Sequence, residues 1–165
     1  MEKSLILNNE EISLRLDRIA WQILEQHFGA ATILLVGIAD KGFDVADKIK
    51  NRLEKHGETH IELTRISLDK KNALACQITL ERSELATNNA VVLVDDVLNS
   101  GTTMAAALKE VLCYNPKTVK TAVLANRDHH TFPIQANFVG ISLATTVKEH
   151  ISYEEIDGTM SISLS

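Results

Sequence analysis

The chain has 165 residues, of which 45% are hydrophobic and only 4% aromatic, and it carries a formal net charge of -5. That length and composition suit one globular domain with an aliphatic core, and seven glycines with two prolines argue against long disordered linkers. The mild negative charge gives no global attraction to nucleic acid, the apolar stretch before Glu10 is too short and too soon acidic to read as a signal peptide, and no apolar run approaches the ~20 residues of a membrane span, so a cytoplasmic protein without membrane contact is expected.

In chain order, residues 8–29 read as an amphipathic helix. Asn8 or Asn9 can cap it, Glu10 and Glu11 suit its positive end, and Gly29 stops it; Ile12, Leu16, Ile19, Ile23 and the nearby Leu24 form its apolar stripe. Residues 31–39, ATILLVGIA, are continuously apolar, as a strand buried on both faces must be. A second helix spans 44–57 and ends at Gly57. An alternating strand follows at 60–68, then a polar loop, DKKN, at 69–72. Residues 90–96, AVVLVDD, form another doubly buried strand, residues 102–115 a third helix stopped by Asn115-Pro116, and residues 118–126 and 136–144 two more strands. Strands alternating with helices imply a doubly wound parallel α/β sheet. The tail breaks that rhythm: two short strands around Asp157-Gly158 suggest a small C-terminal hood, from about residue 143 to 165, over one end of the sheet. Cys76 and Cys113 make neither a CxxC pair nor a metal spacing, so idle thiols in a reducing compartment are expected. His129 and His130 have no evident third ligand and read as loop histidines.

The chemistry concentrates in residues 91–104, VVLVDDVLNSGTTM. In open α/β sheets ligands bind at the carboxyl ends of the strands, and Asp95 and Asp96 stand at such an end. Two carboxylates about 4 Å apart repel by roughly 1–4 kcal/mol in partly wet surroundings, so a cation or hydroxyl donors on a ligand must offset them. The loop that follows adds the hydroxyls of Ser100, Thr102 and Thr103, a glycine that permits close backbone approach at Gly101, and the free N–H groups of a helix start. Diol-binding acids followed by a phosphate cradle suggest a phosphorylated ribose.

That stretch resembles the phosphoribosyl pyrophosphate (PRPP) motif of the type I phosphoribosyltransferases. Three further stretches, LDRIAWQIL, ILLVGIADKGFDVADKI and TAVLANRDHHTFPIQANFVG, fall in the order and spacing of one subfamily, the bifunctional pyrimidine operon attenuator / uracil phosphoribosyltransferases. The likeness runs from about residue 11 to 155. It implies a five-stranded parallel core with a hood, and PRPP bound with Mg2+. Asp95 and Asp96 would hold the ribose hydroxyls and, indirectly, the metal. Asn99, Ser100, Gly101, Thr102 and Thr103 would wrap the 5′-phosphate. Ala39, Asp40, Lys41 and Gly42 match the pyrophosphate loop, with Lys41 a candidate donor to the leaving group. Lys70 and Lys71 fall in the mobile loop, and Arg127 would lie near the base.

The reaction so implied is transfer of phosphoribose to a nucleobase, most simply a pyrimidine such as uracil, giving UMP and pyrophosphate. Its leaving group gathers negative charge, which cationic donors and a metal stabilise. Three departures from the subfamily pattern bear on it. The pyrophosphate loop reads Ala-Asp-Lys-Gly where Lys-Thr-Arg-Gly is usual, the mobile loop reads SLDKKN where Tyr-Arg-Asp-Asp is usual, and Asn99 stands where a small residue or Tyr is common. PRPP binding is therefore expected to be more robust than turnover, and the alternative reading is a weakened PRPP or nucleotide binder. RNA attenuation is disfavoured: Asp17 and Trp21 replace Thr and His of the regulators, and His130 and Gln135 replace two arginines. A phosphate-accepting receiver domain also starts from a VDD strand, but places it first in the chain. Trp21, Phe28 and Phe43 suggest an exposed apolar surface for a homodimer.

Overall fold

The computed structural model describes residues 3–74, 77–81, 90–146 and 149–165. Strand β1 (Ser4–Leu7) leads into helix α1 (Asn9–Gln26), which is closed by a reciprocal cap: Asn8 Oδ1 accepts from the Glu11 N–H at 3.0 Å, and Glu11 Oε2 accepts from the Asn8 N–H at 2.9 Å. Strand β2 (Thr32–Ile38), helix α2 (Ala39–His56) and strand β3 (His60–Ser67) follow. After a short 3-10 turn at Lys70–Asn72 come β4 (Thr79–Leu80), β5 (Ala90–Leu98), helix α3 (Thr102–Leu112), β6 (Thr118–Arg127), β7 (Phe138–Leu143), β8 (Ile151–Ile156) and β9 (Thr159–Leu164).

The main sheet runs β4-β3-β2-β5-β6-β7, parallel throughout except for β4 at one edge. Alternation along β2 and β5 sends successive side chains to opposite layers. Ile33, Leu35, Val92 and Val94 pack with Ile12, Leu16, Ile19 and Ile49 of α1 and α2; Leu34, Val36, Val91 and Leu93 pack with Met104, Ala107 and Val111 of α3. Burial on both faces is the reason these strands read as unbroken apolar runs.

The second sheet is antiparallel, in the order β1-β9-β8. Asp157 and Gly158 turn the β8–β9 hairpin with φ of 50° and 75°, as the turn residues suggested. Ile151, Tyr153, Met160 and Ile162 face inward and join the core on the α1 side. Strand β1 was not expected: four residues too short to register as an element gain their meaning from a partner, β9, at the far end of the chain. Strand β4, two residues long, escapes a sequence reading for the same reason. Cys113 is exposed, and Cys76 lies outside the described residues. Among the described residues, no helix is long and apolar enough to cross a membrane.

Candidate active site

Strand β5 carries its two acids to the carboxyl end of the sheet between β2 and β6. Both are nearly buried, with Asp95 3% and Asp96 6% exposed, and Asp95 Oδ1 accepts from the Asp96 N–H at 2.9 Å. The chain then turns through Gly101, whose φ of +83° favours glycine. An added Cβ there would also lie 3.2 Å from the Phe132 carbonyl oxygen. The turn is braced from outside, since the N–H groups of Thr131 and Phe132 both donate to the Ser100 carbonyl, at 3.0 and 2.9 Å. Ser100 Oγ and Thr102 Oγ1 share a hydrogen bond of 2.8 Å. Helix α3 follows Gly101, which as the N-cap has no side chain to cap it; the Thr102 N–H donates to Ser100 Oγ at 3.3 Å, and the next N–H groups of the first turn point to the cleft end of the helix without a side-chain cap. Asn99 Oδ1 is buried with no hydrogen-bond partner. A buried acceptor in that state is costly unless a ligand completes it.

The neighbouring turn joins β2 to α2. Residues 39–42, expected as a loop ahead of a helix from residue 44, are instead the first turn of α2. Two features make this possible. Ala39 takes a positive φ of 52°, which reverses the chain directly at the strand end. Gly42 presses on β5, where a Cβ would sit 2.8 Å from the Val94 carbonyl oxygen and 3.1 Å from Asp95 Oδ1. Lys41 Nζ donates to the Tyr153 carbonyl of the second sheet at 2.6 Å. Asp40 pairs with Arg65 of β3 at 3.0 Å.

The second sheet closes the site from above. Together Lys41, Asp95, Asp96, residues 97–101, Thr103, Met104 and residues 150–153 line one cleft of about 450 Å3. Tyr153 is buried and donates from its hydroxyl to Glu155 Oε2 at 3.1 Å. Burial pushes its hydroxyl well above the ordinary phenol range, and the charges of Glu155, Asp44 and Asp96 push the same way. Glu155 also accepts from Lys48 Nζ at 3.1 Å, a bond that holds its carboxyl below the ordinary range against the opposing effect of burial.

The sequence-derived candidates therefore divide. Asp95, Asp96, Asn99, Ser100, Gly101, Thr103 and Lys41 meet in the cleft, and Thr102 adjoins it through Ser100. Lys71 is exposed and outside the cleft lining; its N–H caps onto Asp69 Oδ1 at 3.0 Å. The backbone of Lys70 begins the 3-10 turn, and its side chain lies outside the described residues. Arg127 ends β6 outside the cleft lining and donates to the Thr146 carbonyl at 2.6 Å. Phe43 is half-buried beneath the Arg65 guanidinium, 4.2 Å from its ring centroid, which removes it from the exposed aromatic set. Trp21 and Phe28 are exposed and share a separate apolar groove, where Trp21 stacks on His56.

Sequence reasoning missed His150, Ser152 and Tyr153 as cleft residues, and missed Arg65. Nothing local marks them; their position depends on sheet pairing. Among the described residues no group of three His, Cys, Asp or Glu side chains could hold a metal unaided. Two hard carboxylates at the end of an open cleft fit Mg2+, which is commonly held by one or two carboxylates plus oxygens of a bound ligand.

Comparison with known proteins bears on this geometry. Residues 3–156 match the phosphoribosyl transferase domain family. The chain is 36% identical to the Bifunctional protein PyrR of Elusimicrobium minutum, over 99% of this chain and 97% of that protein. It is 34% identical to the Bifunctional protein PyrR of Macrococcus caseolyticus, over 95% of each. Its fold is similar to the hypoxanthine phosphoribosyltransferase of Trypanosoma cruzi, with a TM-score of 0.80, 15% identity, and coverage of 96% of this chain and 95% of that one.

Proposed function

Because this chain belongs to the phosphoribosyl transferase domain family, we propose that it transfers the phosphoribosyl group of PRPP to a pyrimidine base such as uracil, forming UMP and releasing pyrophosphate, with Mg2+ bound alongside PRPP. The observation that carries this reading is the conjunction, in one cleft, of two nearly buried carboxylates and an uncapped helix start behind a left-handed glycine.

In this reading Asp95 and Asp96 receive the ribose hydroxyls and orient the sugar. Residues 99–103 hold the 5′-phosphate, through the N–H groups of the α3 start and the hydroxyls of Ser100, Thr102 and Thr103. Lys41 serves the leaving group. The metal, when bound with PRPP, neutralises charge on the departing pyrophosphate. The second sheet shields the reacting carbon from water, and its cleft residues, His150 and Ser152 among them, stand where the base would enter. Asn99 Oδ1 is an acceptor available to a ligand hydroxyl or N–H. The pyrimidine assignment is supported by the motif similarity together with the PyrR relatives. Self-association through Trp21 and Phe28 belongs to the same reading.

A second reading, a PRPP binder with weak turnover, has its own support: Lys41 and the acid beside it are both engaged by other parts of the chain. RNA-binding attenuation is the less favoured alternative. Asp17, where an RNA-binding face would lie, is committed to Arg52 Nε at 2.7 Å.

The test is a turnover assay with Mg2+ and PRPP, offering uracil, hypoxanthine, guanine, adenine and orotate in parallel, with PRPP binding followed calorimetrically on the same sample. Turnover of uracil is expected. Turnover of a purine alone would replace the base assignment. PRPP binding without turnover of any base would select the second reading.

A further inference from the structure

The first turn of α2 poses a charge problem for the function proposed above. A leaving-group subsite must attract pyrophosphate, yet the turn offers Lys41 and the opposing charge of Asp40. A cation from another element answers it. Arg65 reaches across from β3, where its residue pairs in register with Gly37 of β2, one position short of the strand end that meets Ala39. Its Nη1 lies 3.0 Å from Asp40 Oδ1.

The two partners are held very differently. The Arg65 guanidinium lies 4.2 Å from the centroid of the Phe43 ring. Phe43 is itself fixed against β2, since a Cβ on Gly37 would come within 2.4 Å of its Cα. The Arg65 side chain is 30% exposed, whereas that of Asp40 is 91% exposed. Arg65 Nε makes no hydrogen bond but forms a second ion pair, at 3.7 Å, with the half-exposed Glu81 carboxylate. So the cation is clamped by Phe43, paired with two exposed acids, and positioned near the carboxyl end of a parallel strand, where ligands bind, beside the cleft that Lys41 lines rather than in its lining. The anion opposite it is a solvent-exposed side chain, and exposed pairs of this kind are weakly held.

We propose that Arg65 is a second cation of the pyrophosphate subsite, and that Asp40 is an internal stand-in for a phosphate oxygen, displaced when the polyanion arrives. Arg65 then supplies, from β3, the charge that residues 39–42 lack. A guanidinium suits this exchange because its fork donates to a carboxylate or a phosphate edge with the same geometry. The inference rests on the reading of this cleft as a PRPP site.

Calorimetry of Mg2+–pyrophosphate, PRPP and ribose 5-phosphate on the full chain tests it, with thermal melting as the check on folding. Arg65→Gln should weaken pyrophosphate binding by about tenfold, as loss of a bond to a charged group does, and leave ribose 5-phosphate binding unchanged. Arg65→Lys, which keeps the charge without the fork, should fall between. Asp40→Asn should tighten pyrophosphate binding by about threefold, since it removes a competing anion from an exposed pair. A scaffolding role for the pair predicts the opposite for Asp40→Asn: lower stability with no gain in affinity. Unchanged pyrophosphate binding in a folded Arg65→Gln protein that still binds PRPP would overturn this inference alone. A folded wild-type protein that binds neither PRPP nor pyrophosphate would overturn the functional reading and this inference with it.

Discussion

The two strand-to-helix turns at the cleft are built alike and left in different states. Each follows a central parallel strand, each contains a residue with positive φ, Ala39 or Gly101, and each begins a helix without a side-chain cap. Each also needs a glycine, because a Cβ on Gly42 or Gly101 would crowd another segment's backbone. The β5–α3 turn is the more open: its side-chain contacts, Ser100 with the Thr102 hydroxyl and N–H, stay within the turn, its N-cap glycine caps nothing, and Asn99 Oδ1 is buried and unpartnered. The β2–α2 turn is occupied by the protein itself: Lys41 donates to the second sheet and Asp40 holds Arg65. An open turn accepts a phosphate at little cost in rearrangement, whereas an occupied one must first release its own contacts. The contrast predicts that the 5′-phosphate end of a substrate anchors binding, and that the leaving-group end controls turnover.

The most severe way to break the comparison is to remove the acids that stand between the two turns. Asp95→Asn combined with Asp96→Asn should lower turnover by roughly 100-fold or more and abolish Mg2+-assisted PRPP binding, because both ends of the substrate are positioned through the ribose. The asparagines keep the volume, so the melting temperature should hold. Calorimetry with PRPP and Mg2+ decides the matter; a folded double variant that binds PRPP normally contradicts the site assignment.

A smaller change separates the turns from each other. Thr103→Ala removes one hydroxyl from the open turn and should weaken ribose 5-phosphate by about 1–3 kcal/mol, the usual cost of a hydrogen bond to a charged group. Pyrophosphate, which belongs to the other turn, should bind the variant as it binds the wild type. Equal losses for both ligands would mean that the two turns act as one subsite.

The residues of the β5–α3 turn were legible in the sequence, whereas the early start of α2 and the partners of the β2–α2 turn were not, for physical reasons. What marks the β5–α3 turn in the sequence is local: an apolar strand, two acids, a glycine and hydroxyls within fourteen consecutive residues. The parallel sheet, the three helices and the Asp157-Gly158 hairpin were legible in the same way, from periodicity and turn residues. What was not legible depends on distant partners. The charge of Asp40 looks unfavourable until Arg65, 25 residues on, is seen beside it. Strand β1 exists because β9 pairs with it, and Tyr153 enters the cleft because its sheet closes over α2. Phe43, read as exposed, is covered by Arg65 for the same reason. The early start of α2 needed Gly42 to meet β5, a contact that no spacing rule reports.

The last and smallest effect acts on the clasp that keeps the second turn occupied. Glu155 joins the second sheet to α2, accepting from Lys48 at 3.1 Å and from the Tyr153 hydroxyl at 3.1 Å, while the Tyr153 carbonyl accepts from Lys41. The Lys48 bond, chiefly, holds the Glu155 carboxyl below its ordinary value of 4.5 in the folded protein. A carboxyl depressed by folding contributes stability that is present above its unfolded value and is lost as pH falls through its folded one. The clasp should therefore be intact at pH 7 and weaken only below about 4.5. Glu155→Gln removes that dependence. It should cost up to about 1 kcal/mol at pH 7, as a partly exposed ion pair does, and flatten the acid limb of the melting curve relative to the wild type. Glu149 and Glu154 have carboxyls lowered by other partners, Thr146 and Lys3, so part of the acid limb should survive in the variant. Thermal melts of the two proteins from pH 7 to pH 3 measure the difference. If the clasp is what keeps Lys41 on the Tyr153 carbonyl, the variant should also bind Mg2+–pyrophosphate more tightly at pH 7 while its affinity for ribose 5-phosphate stays fixed, which would place the difference between the two turns in the second sheet rather than in the turns themselves.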